Sequence, residues 1–132
     1  MSRAITLSAL LLIPPLTNAE SACELPEHLC KAQSEYERAD KELNEIYQKI
    51  IAKIKSGGFD DGLASRIEIT ESLRESQRSW LKFKQDNCNA YYKLYSGGTS
   101  RNWDLMACQS EMTIERTNFL KATYIESKVI GI

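Results

Sequence analysis

The sequence predicts an all-α fold, a small antiparallel three-helix bundle stapled by two disulfides. Three observations carry that expectation. Apolar side chains recur at alternating steps of three and four, glycine pairs interrupt the pattern twice, and four cysteines stand in a chain of 132 residues without strand-like alternation. One domain is what this length supports.

The first segment reads as a signal peptide, residues 1–19. Arg3 gives a positive start, Ala4 to Ile13 an apolar run too short to span a bilayer, and Thr17-Asn18-Ala19 a small-residue exit after Pro14-Pro15. Cleavage is expected after Ala19, leaving residues 20–132 as the helical domain. The 17 basic residues less Arg3 leave 16 against 18 acidic ones, a net charge of −2. So even a mixture argues for neither nucleic acid nor an anionic membrane as partner, and it permits a basic one.

The first helix is expected from Pro26, a favoured first-turn residue, with Leu29, Ala32, Tyr36, Ala39, Leu43, Ile46, Ile50 and Ile54 on its buried side. Gly57-Gly58 stops it. The second should begin near Asp60-Asp61-Gly62, where an aspartate can cap free amides, and run to about Tyr95. Its stripe is Thr70, Leu73, Gln77, Trp80, Leu81, Lys84, Cys88 and Tyr91, and Ser96-Gly97-Gly98 breaks it. After a loop through Trp103, the third helix carries Leu105, Cys108, Met112, Arg116, Phe119 and Thr123 on one stripe.

An even cysteine count behind an export signal favours disulfides over zinc, whose paired CxxC spacings are missing, and it places the protein in the periplasm or outside the cell. Cys88 and Cys108 flank one interhelical connection, and closing a loop of that length is worth about 3 kcal/mol. Cys23 and Cys30 could not meet inside one continuous helix, since seven residues rise about 10 Å, but Pro26 lets the N-terminal arm fold back. Pairing 23 with 30 and 88 with 108 is favoured, with Cys30 bonded to a distant helix as the rival. Cys23 could instead carry a lipid; Glu20, where lipoprotein signals place an aliphatic residue, argues for a soluble protein without membrane anchoring.

Three stretches carry a resemblance: ADKELNEIY from Ala39, LRESQRSWLKFKQDNC from Leu73 and CQSEMTIERTNFL from Cys108. Together they resemble the LprI-like family, named for a mycobacterial lysozyme-inhibitor lipoprotein, and the likeness covers nearly all of residues 20–132. Asp40, Leu43, Asn44, Tyr47, Gln77, Trp80, Cys88, Cys108, Thr113 and Arg116 match the family's pattern. Lys84-Gln85 departs from it, standing where members often have Arg-Asp; any bidentate contact of that arginine is therefore in question. The resemblance implies lysozyme inhibition.

No catalytic set converges in the sequence, because the only histidine, His28, lies beside the first cysteine pair and is expected to be exposed and inert. The chain reads as a binding protein and not an enzyme, with no cofactor and no metal. Asp40, Asn44, Tyr47, Gln77, Trp80, Lys84 and Arg116 read as a structural network at the helix seams, with Lys84 snorkelling its charge outward from an apolar stem.

Recognition then falls to the glycine-marked loops, above all Ser96 to Asp104. Arg101 and Trp103 are hot-spot residue types, Ser96, Thr99 and Ser100 offer hydroxyls, and Tyr91, Tyr92 and Tyr95 approach the same end. Trp103 folded inward as a lid is the alternative. A lysozyme cleft holds two carboxylates, so an inserted Arg101 beside a stacked Trp103 would occlude it. Two other functions fit the sequence: an immunity protein against another envelope-directed toxin, and a non-inhibitory structural or ligand-binding module of the envelope.

Overall fold

The computed structural model describes residues 23–95 and 97–126. The expected signal peptide and Ser96 lie outside the described residues. Three helices follow one another: α1 over Glu27–Lys55, α2 over Arg66–Leu94 and α3 over Arg101–Leu120, the last continuing into a π-helical turn at Lys121–Ile125. At 29 residues each, α1 and α2 are about 43 Å long. Among the described residues there is no strand.

Local chemistry sets each boundary. Pro26 precedes the first turn of α1, its carbonyl accepting from Leu29 and Cys30 N–H at 2.8 and 3.0 Å. At the other end Gly57 N–H donates to Ile54 O and Gly58 N–H to Lys53 O, the paired closure that needs a left-handed residue. Gly57 supplies it with φ +88°, and a Cβ there would run into the Asp60 and Arg66 side chains.

The second helix starts later than expected. Asp60 caps nothing, because its carboxylate receives the Arg66 guanidinium across the turn, Nε to Oδ1 at 2.8 Å, an ion pair that holds the Asp60 carboxyl below the usual carboxylate range. The cap is Ser65. Its hydroxyl accepts from Glu68 N–H at 3.2 Å while the Glu68 carboxylate accepts from Ser65 N–H at 2.8 Å, a reciprocal box written in the sequence as Ser-x-x-Glu.

The third helix starts earlier than expected. Arg101 to Asp104 form its first turn and are not loop, with Asp104 N–H donating to Ser100 O at 2.9 Å and an acidic side chain placed where the helix dipole favours it. Its inward face also differs. Ser110, Thr113, Thr117 and Leu120 are buried, whereas Phe119 is exposed and Leu105, Cys108, Met112, Arg116 and Thr123 are half-buried. The hydroxyls qualify for the interior by bonding back to carbonyls four residues earlier, Ser110 to Met106, Thr113 to Gln109 and Thr117 to Thr113, at 2.7 to 2.9 Å.

Packing centres on α3. It lies mainly along α1, less along α2, and α1 touches α2 least. Contacts from Glu42 to Lys121 and from Lys53 to the Tyr124 carbonyl show α1 and α3 running the same way, with α2 antiparallel to both. Leu43, Ile46, Ile50 and Ile54 of α1 meet Leu73 and Leu120 in the core, and Tyr47, Ile51, Phe59, Ile69, Trp80 and Tyr124 pack around them. Each fully buried Leu or Ile contributes about 2 kcal/mol by leaving water.

Both favoured disulfides are present. Cys23–Cys30 ties the N-terminal arm to the first turns of α1, and Cys88–Cys108 joins α2 to α3, with Cα atoms 5.8 and 5.7 Å apart.

Candidate functional site

Two side-chain groups stand out, one inside the seam and one at the stapled end. The interior group answers the Lys84 expectation with a correction. Lys84 does not snorkel: it is 5% exposed, and its Nζ donates to Thr113 Oγ1 at 3.2 Å between the rings of Trp80 and Tyr36, 5.0 and 5.3 Å from their centroids. Burial pushes the ammonium pKa down from 10.5, and Asp40 pulls it partly back. The same burial, with Asp40 nearby, raises the Tyr36 phenol.

Arg116 also approaches Trp80. Its Nε donates to Gln77 Oε1 at 3.1 Å and its Nη2 to Ser76 Oγ at 2.9 Å, while the guanidinium lies 5.9 Å from the Trp80 ring and 5.6 Å from Phe119. Trp80 therefore has two cations near its ring and packs against the core. Asp40 bonds Asn44 instead, which donates at 3.1 Å, so the expected network divides into an α1 pair and an α2–α3 clamp. Neither part offers a nucleophile beside a base. His28 is exposed, and among the described residues no group of three or more metal-ligating side chains is placed to hold a metal.

The stapled end is built differently. Cys88 is fully buried, and its bond to Cys108 fixes the last turns of α2 against the first turns of α3. Gly98 N–H donates to Tyr95 O at 2.9 Å, closing the turn between them, and Ser100 Oγ donates to the Asp104 carboxylate at 2.8 Å. Tyr91 and Tyr95 rings lie 4.8 Å apart.

The residues expected to act together separate onto two sides of this end. Arg101 lies over the Tyr92 ring at 5.7 Å, whereas Trp103, about 200° further around α3, faces Tyr91 across a groove between the helices. Trp103 is 44% exposed, so it is not an inward lid. The groove encloses about 440 Å³ and is lined by Asn87 and Tyr91 of α2 and by Trp103, Asp104, Glu111 and Met112 of α3. A larger hollow of about 740 Å³ runs along Tyr36, Asp40, Asn44 and Gln48, but α1 alone lines it, which makes it the solvated flank of one helix.

Comparison with known proteins bears on this geometry. Residues 18–120 match the family described as Lysozyme inhibitor LprI. The chain belongs to the LprI family. A relative from Rhizobium meliloti (strain 1021), "Uncharacterized protein R02472", is 28% identical over 113 residues, covering 82% of this chain and 77% of the relative. No solved structure matches.

Membership gives the fold residues a consistent meaning. The LprI matches at Gln77, Trp80, Thr113 and Arg116 lie at the α2–α3 seam, those at Asp40 and Asn44 pair on the open flank of α1, and those at Cys88 and Cys108 form the staple. In this LprI chain Lys84 offers a single ammonium to Thr113, with two aromatic faces around it, where an arginine would need a planar bidentate acceptor. LprI is a family named for inhibition, which points to a protein partner. Disulfides among the described residues accord with an oxidising, extracytoplasmic setting.

Sequence reasoning missed the acidic side of the groove. Glu111 and Glu115 stand one turn apart on α3, and with Asp104 they form a carboxylate edge that charge counting over the whole chain averages away. Helical projection from Trp103 would have found it.

Proposed function

We propose that this LprI chain is an exported protein of the periplasm or cell exterior, freed of residues 1–19, that inhibits a lysozyme by covering its sugar cleft with the stapled end of α2 and α3. The observation that supports this most is the pair Arg101 and Trp103, presented from the first turn of a helix whose position a disulfide fixes. Such preorganisation lowers the ordering cost of association. Arg101 supplies the cation for a cleft whose chemistry rests on two carboxylates, and its guanidinium lies over the Tyr92 ring. Trp103 and Tyr95 add exposed aromatic surface, and Thr99 and Ser100 add hydroxyls at the turn.

The test is inhibition of c-type and g-type lysozymes by the oxidised chain in molar excess, beside an Arg101→Glu, Trp103→Ala double variant. Inhibition lost in the variant at unchanged melting temperature is the expected result. Full lysozyme activity in the presence of the unaltered chain would refute the proposal.

A further inference from the structure

Three features of the α2–α3 groove converge on the chemistry of what it takes up. The first is charge. Asp104, Glu111 and Glu115 border it, none of its lining residues is a lysine or arginine, and among the described residues none of the three carboxylates is in an ion pair. In a chain with 17 basic and 18 acidic side chains, such a one-signed edge is a local arrangement and not a reflection of composition.

The second feature is the aromatic wall. Tyr91 is 40% exposed and Trp103 44%, and both line the groove, whereas Tyr47, Phe59, Trp80 and Tyr124 pack on the core. The third is the floor. Cys108 and Met112 line it, Cys108 held by its bond to the buried Cys88, and Met112 Sδ lies 3.6 Å from Cys88 Sγ and accepts from Asn87 Nδ2 at 3.4 Å. Its shape is thus set by a covalent bond and by packing, before any partner arrives. The carboxylates act on a shared space: the Tyr91 phenol is raised chiefly by its bond to Tyr95, and the charges of Asp104 and Glu111 add to the shift.

We propose that this groove receives an arginine side chain projecting from the surface of the protein partner, its guanidinium stacked on Trp103 and bonded to Glu111, with Asp104 and Glu115 completing the negative field. Guanidinium is the cation that satisfies both halves of the groove at once, because it is planar enough to lie on an indole and forked enough to bond carboxylates in pairs. A lysine head is a point charge, without the plane that stacks on an indole or the fork that grips a carboxylate through two bonds. The occupant is therefore a basic protein surface, and the groove works beside Arg101 so that one end of the bundle offers a cation on one side and takes up a cation on the other. This deepens the inhibitor reading and rests on its placement of the contact surface at the stapled end.

A titration of the isotope-labelled chain with acetyl-Gly-Arg-Gly-amide, followed by NMR, tests it. The Trp103 indole N–H, the Asn87 side-chain amide and the Met112 methyl should shift together and saturate. Acetyl-Gly-Glu-Gly-amide should not move them, and a Glu111→Gln, Glu115→Gln variant, altered only at exposed positions, should need about tenfold more peptide at an unchanged melting temperature. Shifts spread evenly over the surface, or shifts that survive the double substitution, overturn the proposal. Lysozyme binding is then measured separately on the same variant: a seated peptide without lysozyme binding removes lysozyme as the target and leaves the groove assignment standing, whereas inhibition unchanged by the substitutions, with no seated peptide, removes the groove.

Discussion

Removing the Cys88–Cys108 bond should cost this protein more than removing Cys23–Cys30, and the structure says by how much. In the chain-entropy account the cost follows the length of the closed segment, 20 residues for the first pair and 7 for the second, giving about 3.3 and about 2.4 kcal/mol. Burial widens the gap. Cys88 is fully buried against Met112, so a Cys88→Ala, Cys108→Ala variant also loses packed sulfur atoms, for a total of about 4 kcal/mol, whereas Cys23 is exposed and its loss adds little. Urea unfolding monitored by circular dichroism reads this directly: the midpoint should fall by about 2 to 4 M for the α2–α3 pair and by about half that for the N-terminal pair. Equal losses, or a larger one at Cys23–Cys30, would refute both the loop-length argument and the claim that the Cys88–Cys108 staple holds the α2–α3 end.

The two tryptophans should respond in opposite ways. Trp80→Ala, which removes a ring packed on the core with Lys84 and Arg116 beside it, should lower stability by about 3 kcal/mol, while Trp103→Ala should leave the melting temperature nearly unchanged and weaken partner binding. Lys84→Met should expose the lysine's pH linkage. Burial lowers the folded-state pKa below 10.5, so its destabilising effect is complete below that lowered value and vanishes as pH rises toward 10.5, where the unfolded chain also loses its proton. The stability difference between variant and wild type should accordingly favour the variant at neutral pH and shrink toward pH 10; a constant difference contradicts the assignment. Ser65→Ala, which removes half of the capping box, should cost about 1 kcal/mol in thermal or urea unfolding.

Helix number, order and disulfide pairing were legible because each rests on a strong local signal: the α1 ladder from Ala32 to Ile54, the glycine at 57, and cysteines flanking a short connection. The boundaries of α2 and α3 were less legible because two chemistries compete for one residue type. Asp60 is a good cap in isolation, and only the arrival of Arg66 across the turn decides otherwise. The inward face of α3 was obscured for a different reason: Ser110, Thr113 and Thr117 are polar by composition and become interior residues only once their hydroxyls bond back to their own helix. Lys84 follows the same rule, since two rings and a threonine make an interior place for a charge that its residue type alone assigns to solvent. At the candidate site, Arg101 and Trp103 were expected together on a loop; both are exposed, but on the first turn of α3, and their divergence depended on a helix start three residues before Asp104.

The pairing of the cysteines has a consequence for assembly of the chain. Both bridges join consecutive cysteines, first to second and third to fourth, and neither crosses between α1 and the α2–α3 hairpin. A polypeptide emerging N-terminus first into an oxidising compartment can therefore be oxidised in the order in which it appears, each thiol meeting its native partner before a wrong one follows it, without a later round of thiol exchange. What oxidation leaves undone is the docking of α1 on α3, whose contacts span as many as 79 residues, from Glu42 to Lys121, and are wholly non-covalent. Helix α1 is thus the part of the molecule that a reducing agent does not release and a denaturant does.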